Sequence, residues 1–167
     1  VRDPRNLITS FVNHYSLTYE QAINFMIDEN SSLIEKTADG DHSSFTYINT
    51  WSNHYKSWKN FEKNYLLIKY EDLLYKKNEF LKIINYLEKN TKNKFKSYQI
   101  DKALNDCDFE NLKKQEIDKG FIEAPKSKNQ NFFYLGPKNN WKDILNKKLQ
   151  IKISDTFRNE FDELGYK

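Results

Sequence analysis

Tyr65-Leu66-Leu67-Ile68-Lys69-Tyr70 is a short, nearly continuous apolar run, the pattern of a strand buried on both faces of a parallel sheet. It is the one convincing strand in the chain, and a lone strand cannot make a sheet. Either its partners lie outside these residues, or the pattern misleads and the protein is all helical. Val1 favours the first alternative, because it directly precedes a helix start, as the last residue of a strand would. A chain truncated at its N-terminus is therefore expected. Strands ending at Val1 and Tyr70 would both present their carboxyl ends to one crevice, where open α/β sheets bind ligands. Arg2, Ser10 and Tyr70 would then share a pocket.

The helix start itself is well marked. Asp3 is a capping residue, Pro4 fits the first turn, and Leu7, Ile8, Phe11, Val12 and Tyr15 form an apolar stripe along one face. Arg2 is placed beside the unpaired N–H groups of the first turn. Free N–H groups, the helix dipole and a guanidinium all favour an anion at that point. A capped surface helix is the alternative reading of the same residues.

Further along, Thr18-x-x-Gln21 has the form of a capping box and opens a second helix to about Glu29. Residues 36–44, with Asp39-Gly40-Asp41, read as a polar loop. Tyr47, Ile48, Trp51, Tyr55 and Trp58 keep helical spacing and predict a helix from about Ser44 to Asn60. Phe80 to Leu87 predict another helix, and Ile100, Ala103 and Leu104 a shorter one before Cys107-Asp108-Phe109. A loop rich in Lys, Asn and Gln is expected from about Asp118 to Asn140. Ile153, Phe157, Phe161 and Leu164 predict a closing helix ended by Gly165.

Composition narrows the function. The 167 residues, 38% hydrophobic and 16% aromatic, are enough for one domain with a real core. A net charge of +3 from 27 basic and 24 acidic residues, well mixed, argues against a nucleic-acid surface and leaves room for a local anion pocket. Cys107 is the only cysteine and His14, His42 and His54 are not at ligand spacing, so neither a disulfide nor a metal site is expected. No run approaches the ~20 apolar residues of a membrane span and no signal-peptide layout is present, so a cytoplasmic protein is expected. His54, alone beside an aromatic stripe, reads as structural. Cys107 reads as a small buried side chain.

Four segments carry a resemblance to the carboxyl-terminal two-thirds of sulfotransferases that use 3′-phosphoadenosine-5′-phosphosulfate (PAPS). Val1-Arg2-Asp3-Pro4-Arg5 with Ser10 resembles the family motif whose arginine and serine hold the 3′-phosphate. Trp51-x-x-His54-x-x-x-Trp58, followed by Leu67-Ile68-Lys69-Tyr70-Glu71-Asp72-Leu73, is similar to the helix and strand before an adenine-contacting tyrosine. Cys107-Asp108-Phe109 resembles the Thr-Ser-Phe segment whose phenylalanine packs on adenine, with cysteine in place of threonine. Phe132-Phe133-Tyr134-Leu135-Gly136, with Trp141-Lys142, resembles the Phe-Arg-Lys-Gly…Asp-Trp-Lys ending.

The resemblance implies a P-loop-like α/β fold, a parallel sheet flanked by helices. Residues 1–167 would form a single partial sulfotransferase domain, mostly helical because its first strands and phosphosulfate loop precede Arg2. It implies sulfuryl transfer from PAPS to a hydroxyl or amine of a small-molecule or glycan acceptor. The nucleotide-binding residues it implies are Arg2, Ser10, Tyr70, Cys107, Phe109 and Gly136, with no catalytic residue and no metal. Tyr134 and Leu135 stand where the family has an Arg-Lys pair that clamps the 3′-phosphate; Arg5 and Lys138 are the candidate replacements. Segments 28–45 and 118–131 are expected to shape the acceptor side. A sulfotransferase-like binding protein without catalysis, and a helical interaction module that binds no nucleotide, are the competing classes.

Overall fold

The computed structural model describes residues 1–36, 42–61, 64–124 and 131–167. Helix α1 (Pro4–Tyr15) begins as its sequence dictates. The Asp3 carboxylate accepts from the Arg5 N–H, Pro4 occupies the first turn, and Ser16 ends the helix in the left-handed region. Helix α2 (Tyr19–Ile27) opens on the capping box: the Gln21 N–H donates to Thr18 Oγ1 at 3.2 Å and the Thr18 N–H to Gln21 Oε1 at 2.8 Å.

Strands β1 (Ser32–Lys36) and β2 (His42–Tyr47) follow as an antiparallel pair, with Ile34 opposite Phe45 and Ser32 opposite Tyr47. This corrects two expectations. The polar loop of 36–44 is in part strand, and the helix expected from Ser44 starts only at Trp51, as α3 (Trp51–Trp58). Phe45-Thr46-Tyr47 suits a pleated surface better than a helix. Asn49 then takes a positive φ of 62°, and the Thr50 hydroxyl accepts from the Asn53 N–H at 3.0 Å to begin the helix. Asp39-Gly40-Asp41 lies outside the described residues.

Tyr65–Lys69 forms no strand among the described residues, and Tyr70 opens helix α4 (Tyr70–Tyr75) instead. The expected parallel sheet is likewise absent among them: the sheet present is the β1–β2 pair. One trace of parallel pairing remains. The Val1 nitrogen donates to the Ile68 carbonyl at 2.7 Å and the Tyr70 N–H to the Val1 carbonyl at 2.7 Å, the slanted pattern of a parallel bridge between Val1 and Lys69. A single paired residue cannot sustain a ladder, which is why the apolar run stays irregular.

Helices α5 (Lys77–Thr91), α6 (Ser97–Asp106) and α7 (Phe109–Lys119) come next, and Gly120 at φ 76° ends α7. A 3₁₀ turn at Gly136–Lys138 leads to α8 (Trp141–Ile144). The closing helix is two helices, α9 (Lys147–Thr156) and α10 (Arg158–Leu164), broken at Phe157, whose φ of −110° and ψ of 28° lie outside the helical region. Phe157 is buried there, its ring edge-to-face with Trp51 at 5.0 Å.

The core gathers Ile8 of α1, Ala22, Ile23 and Met26 of α2, Trp51 and Tyr55 of α3, and the inward faces of α9 and α10. Helices α5, α6 and α7 give it no buried apolar residue among the described residues. The best-packed part of the molecule is therefore the part that holds α1, and α1 sets the position of Arg2 and Ser10.

Candidate functional site

Asp3 and Arg5 face the core side of the turn that opens α1. Each is 4% exposed, and the Arg5 guanidinium forks onto the Asp3 carboxylate, with Nη2 at 2.7 Å from Oδ2 and Nε at 3.0 Å from Oδ1. The same guanidinium lies 4.0 Å from the Trp141 ring centre and 4.3 Å from that of Phe161. Arg5 is thus fully committed inside the protein. It does not replace the missing Arg-Lys pair, contrary to one of the two expectations for that role.

The turn is held from the other side by Glu71 of α4. Its Oε1 accepts the Asp3 N–H at 2.9 Å and its Oε2 the Tyr166 hydroxyl at 3.1 Å. Burial, reinforced by the charge of Glu71, pushes the Tyr166 phenol well above its ordinary range, so this hydroxyl stays protonated and donates.

With Asp3 turned inward, Arg2 points the other way. Its Nη1 donates to Ser10 Oγ of α1 at 3.0 Å, and its guanidinium carbon stands 4.7 Å from the Tyr70 ring centre. Its Nε is buried with no hydrogen-bond partner among the described residues.

Arg2 and Tyr70 line a cavity of about 430 Å³ together with Glu71, Gly136, Trp141 and Lys142, among others. The 136–141 wall is fastened to α1. Asn139 Nδ2 donates to the Asn6 carbonyl at 2.9 Å, the Thr9 hydroxyl lies 2.9 Å from Asn139 Oδ1, and the Trp141 N–H donates to Asn6 Oδ1 at 2.9 Å. Gly136 has a φ of 52°, and a Cβ built on it would stand 2.4 Å from the Phe109 ring. The Phe109 ring therefore packs against Gly136 where a side chain would otherwise stand. Upstream of it, the N–H groups of Phe132 and Phe133 both donate to the buried carboxylate of Glu116.

Of the residues the sequence singles out, Arg2, Tyr70 and Gly136 share the cavity, Ser10 joins it through Arg2, and Phe109 backs it through Gly136. Cys107 does not. It is exposed at the end of α6, outside the lining, and its N–H is spent on the Ala103 carbonyl, so the expected buried thiol is also corrected. Tyr134 is 52% exposed, and Lys138 is exposed and outside the lining. His54 is exposed on α3. Sequence reasoning missed Lys142 and Lys167 as lining cations. For Lys142 the signal was present, since Trp141-Lys142 closes the fourth segment.

A second, open concavity of about 660 Å³ lies where α2 runs into β1, lined by Gln21, Asn24, Asp28, Asn30, Ser31 and neighbours, with no cation. It takes in the first part of the segment expected to shape the acceptor side.

The molecule is thus predominantly helical among the described residues, with a cationic, aromatic cleft at the start of α1. The chain belongs to the sulfotransferase domain family, whose model matches residues 1–165. No curated protein and no solved structure matches it. Among the described residues no helix is long and apolar enough to cross a membrane.

Proposed function

We propose that this chain provides the 3′-phosphate and adenine grip of a sulfotransferase that moves a sulfuryl group from PAPS to a hydroxyl or amine acceptor. Family membership supports sulfuryl transfer in general; the identity of the donor rests on the site. The observation that carries it is the guanidinium of Arg2, held by Ser10 and Tyr70 in the lining of the cavity. A phosphate oxygen is the kind of acceptor such a donor fits.

In this reading Arg2 pairs with the 3′-phosphate and the Ser10 hydroxyl donates to it. The Gly136 N–H donates to it from the cavity wall. Tyr70 flanks the adenine, and Phe109, behind Gly136, shapes the wall that the base meets. Cys107 is given no part. PAPS supplies the sulfuryl group and the leaving phosphate, and this chain contributes positioning and charge, which dominate in-line transfers of this kind. The α/β arrangement typical of the family is part of the same proposal, supported here by the parallel bridge between Val1 and Lys69.

A second reading, nucleotide binding without catalysis, is favoured by the uncharged Tyr134 and Leu135 in the clamp segment. Calorimetric titration separates the proposal from a module that binds no nucleotide. The chain is expected to bind 3′-phosphoadenosine-5′-phosphate at least about tenfold more tightly than ADP, a preference of at least ~1.4 kcal/mol that Arg2→Ala removes. Equal or absent binding of the two nucleotides overturns the proposal. If binding holds, sulfuryl transfer to phenol, amine and sugar acceptors, assayed with any upstream segment restored, decides between the enzyme and the binding protein.

A further inference from the structure

The clamp segment presents a charge deficit, and the fold offers one well-held lysine to make it good. Tyr134 and Leu135 bring no charge to the wall, Arg5 is locked onto Asp3 beneath the Trp141 ring, and Lys138 lies outside the lining. The charged residues that line the cavity are Arg2, Lys142, Lys167 and Glu71. Both oxygens of Glu71 are engaged, one by the Asp3 N–H and one by the Tyr166 hydroxyl, so its charge is already compensated in part.

Lys142 is the cation whose backbone the structure holds in place. Its N–H donates to Asn140 Oδ1 at 3.2 Å and its carbonyl accepts from Gln150 Nε2 at 3.3 Å. The preceding Trp141 N–H is bonded to Asn6 of α1, the helix that also carries Ser10 and opens just after Arg2. The Lys142 ammonium lies 5.5 Å from the Trp141 ring centre and forms no ion pair among the described residues. It is an exposed cation on a held backbone, and its residue lines the same cavity as Arg2.

We infer that Lys142 is the second cation for the 3′-phosphate, taking over in this chain the charge that Tyr134 and Leu135 lack. The inference rests on the PAPS-site reading above. It assigns Lys142 a part in specificity: the lysine distinguishes a nucleotide phosphorylated at both the 3′ and 5′ positions from one phosphorylated at the 5′ position alone. A flexible ammonium reaching a phosphate acts as a point charge, so arginine serves in its place and glutamine does not.

The test is calorimetric titration of the full chain with 3′-phosphoadenosine-5′-phosphate and with 5′-AMP, for the parent, Lys142→Gln, Lys142→Arg, Lys138→Ala and Arg2→Ala, each checked for native circular dichroism. Lys142→Gln is expected to weaken binding of the bisphosphate by about tenfold while changing 5′-AMP by less than about twofold. Lys142→Arg should stay within about threefold of the parent, and Lys138→Ala, with the same loss of net charge, should change neither. Equal losses for the two nucleotides, or none, overturn the assignment of Lys142. If Arg2→Ala alone abolishes the preference for the bisphosphate, the site reading stands and only the Lys142 inference falls. A parent that fails to discriminate between the two nucleotides overturns both.

Discussion

Asp3→Ala is expected to lower the unfolding free energy by about 3–5 kcal/mol, measured by urea denaturation, because it leaves the Arg5 guanidinium buried without its partner. The carboxylate does two jobs at once: it caps α1 through the Arg5 N–H and neutralises a guanidinium that is 4% exposed between two aromatic rings. The cap alone accounts for about 1 kcal/mol. Most of the loss comes from the stranded charge. The combined Asp3→Ala, Arg5→Met chain should therefore recover a good part of the stability, since neither charge is then left alone. A single-substitution loss below about 1 kcal/mol, the value of the cap by itself, would show that water reaches Arg5 and that the pair is not sealed.

Gly136→Ala is expected to cost about 2 kcal/mol of stability and to reduce nucleotide affinity at least about tenfold. Two effects act together. At a φ of 52° a side chain is strained in any surroundings, and here the added carbon would meet the Phe109 ring at 2.4 Å, well inside any real contact. The wall must move or the ring must leave, and either disturbs the cavity shared by Gly136 and Arg2. Phe109→Leu should relieve the clash without relieving the backbone strain. In the cycle of single and double substitutions, the double variant should then be more stable than the two single effects summed. Strict additivity would mean that Phe109 does not press on Gly136 in solution.

Where local chemistry decides an element, the sequence carried it well. Asp3 and Pro4 start α1, Thr18 and Gln21 form the capping box, and Gly165 ends the last helix in the left-handed conformation. The pairing of Arg2 with Ser10 is of the same kind, because Arg2 lies just before the helix that carries Ser10. What was not legible depends on partners. The apolar run before Tyr70 has strand chemistry, yet only Val1 pairs with it, so it stays irregular. Tyr47 and Trp51 keep a helical period across a boundary that Asn49 and Thr50 impose through their own backbone and hydroxyl. The fates of Arg5 and Lys142 turned on tertiary placement alone. Both are basic residues near the motifs, but one faces Asp3 under two rings and the other faces the cavity.

The most direct measurement of the central claim is the side-chain nitrogen spectrum of arginine-labelled protein titrated with 3′-phosphoadenosine-5′-phosphate and, separately, with ADP. The Arg2 Nε–H is buried and without a partner among the described residues. Its resonance is predicted to move downfield and gain protection from exchange as the bisphosphate saturates the site, and to respond far less to ADP. The Arg5 resonance, already held by Asp3, should stay where it is. An Arg2 signal that is unmoved by the bisphosphate, or moved equally by both nucleotides, would contradict a 3′-phosphate site at the start of α1.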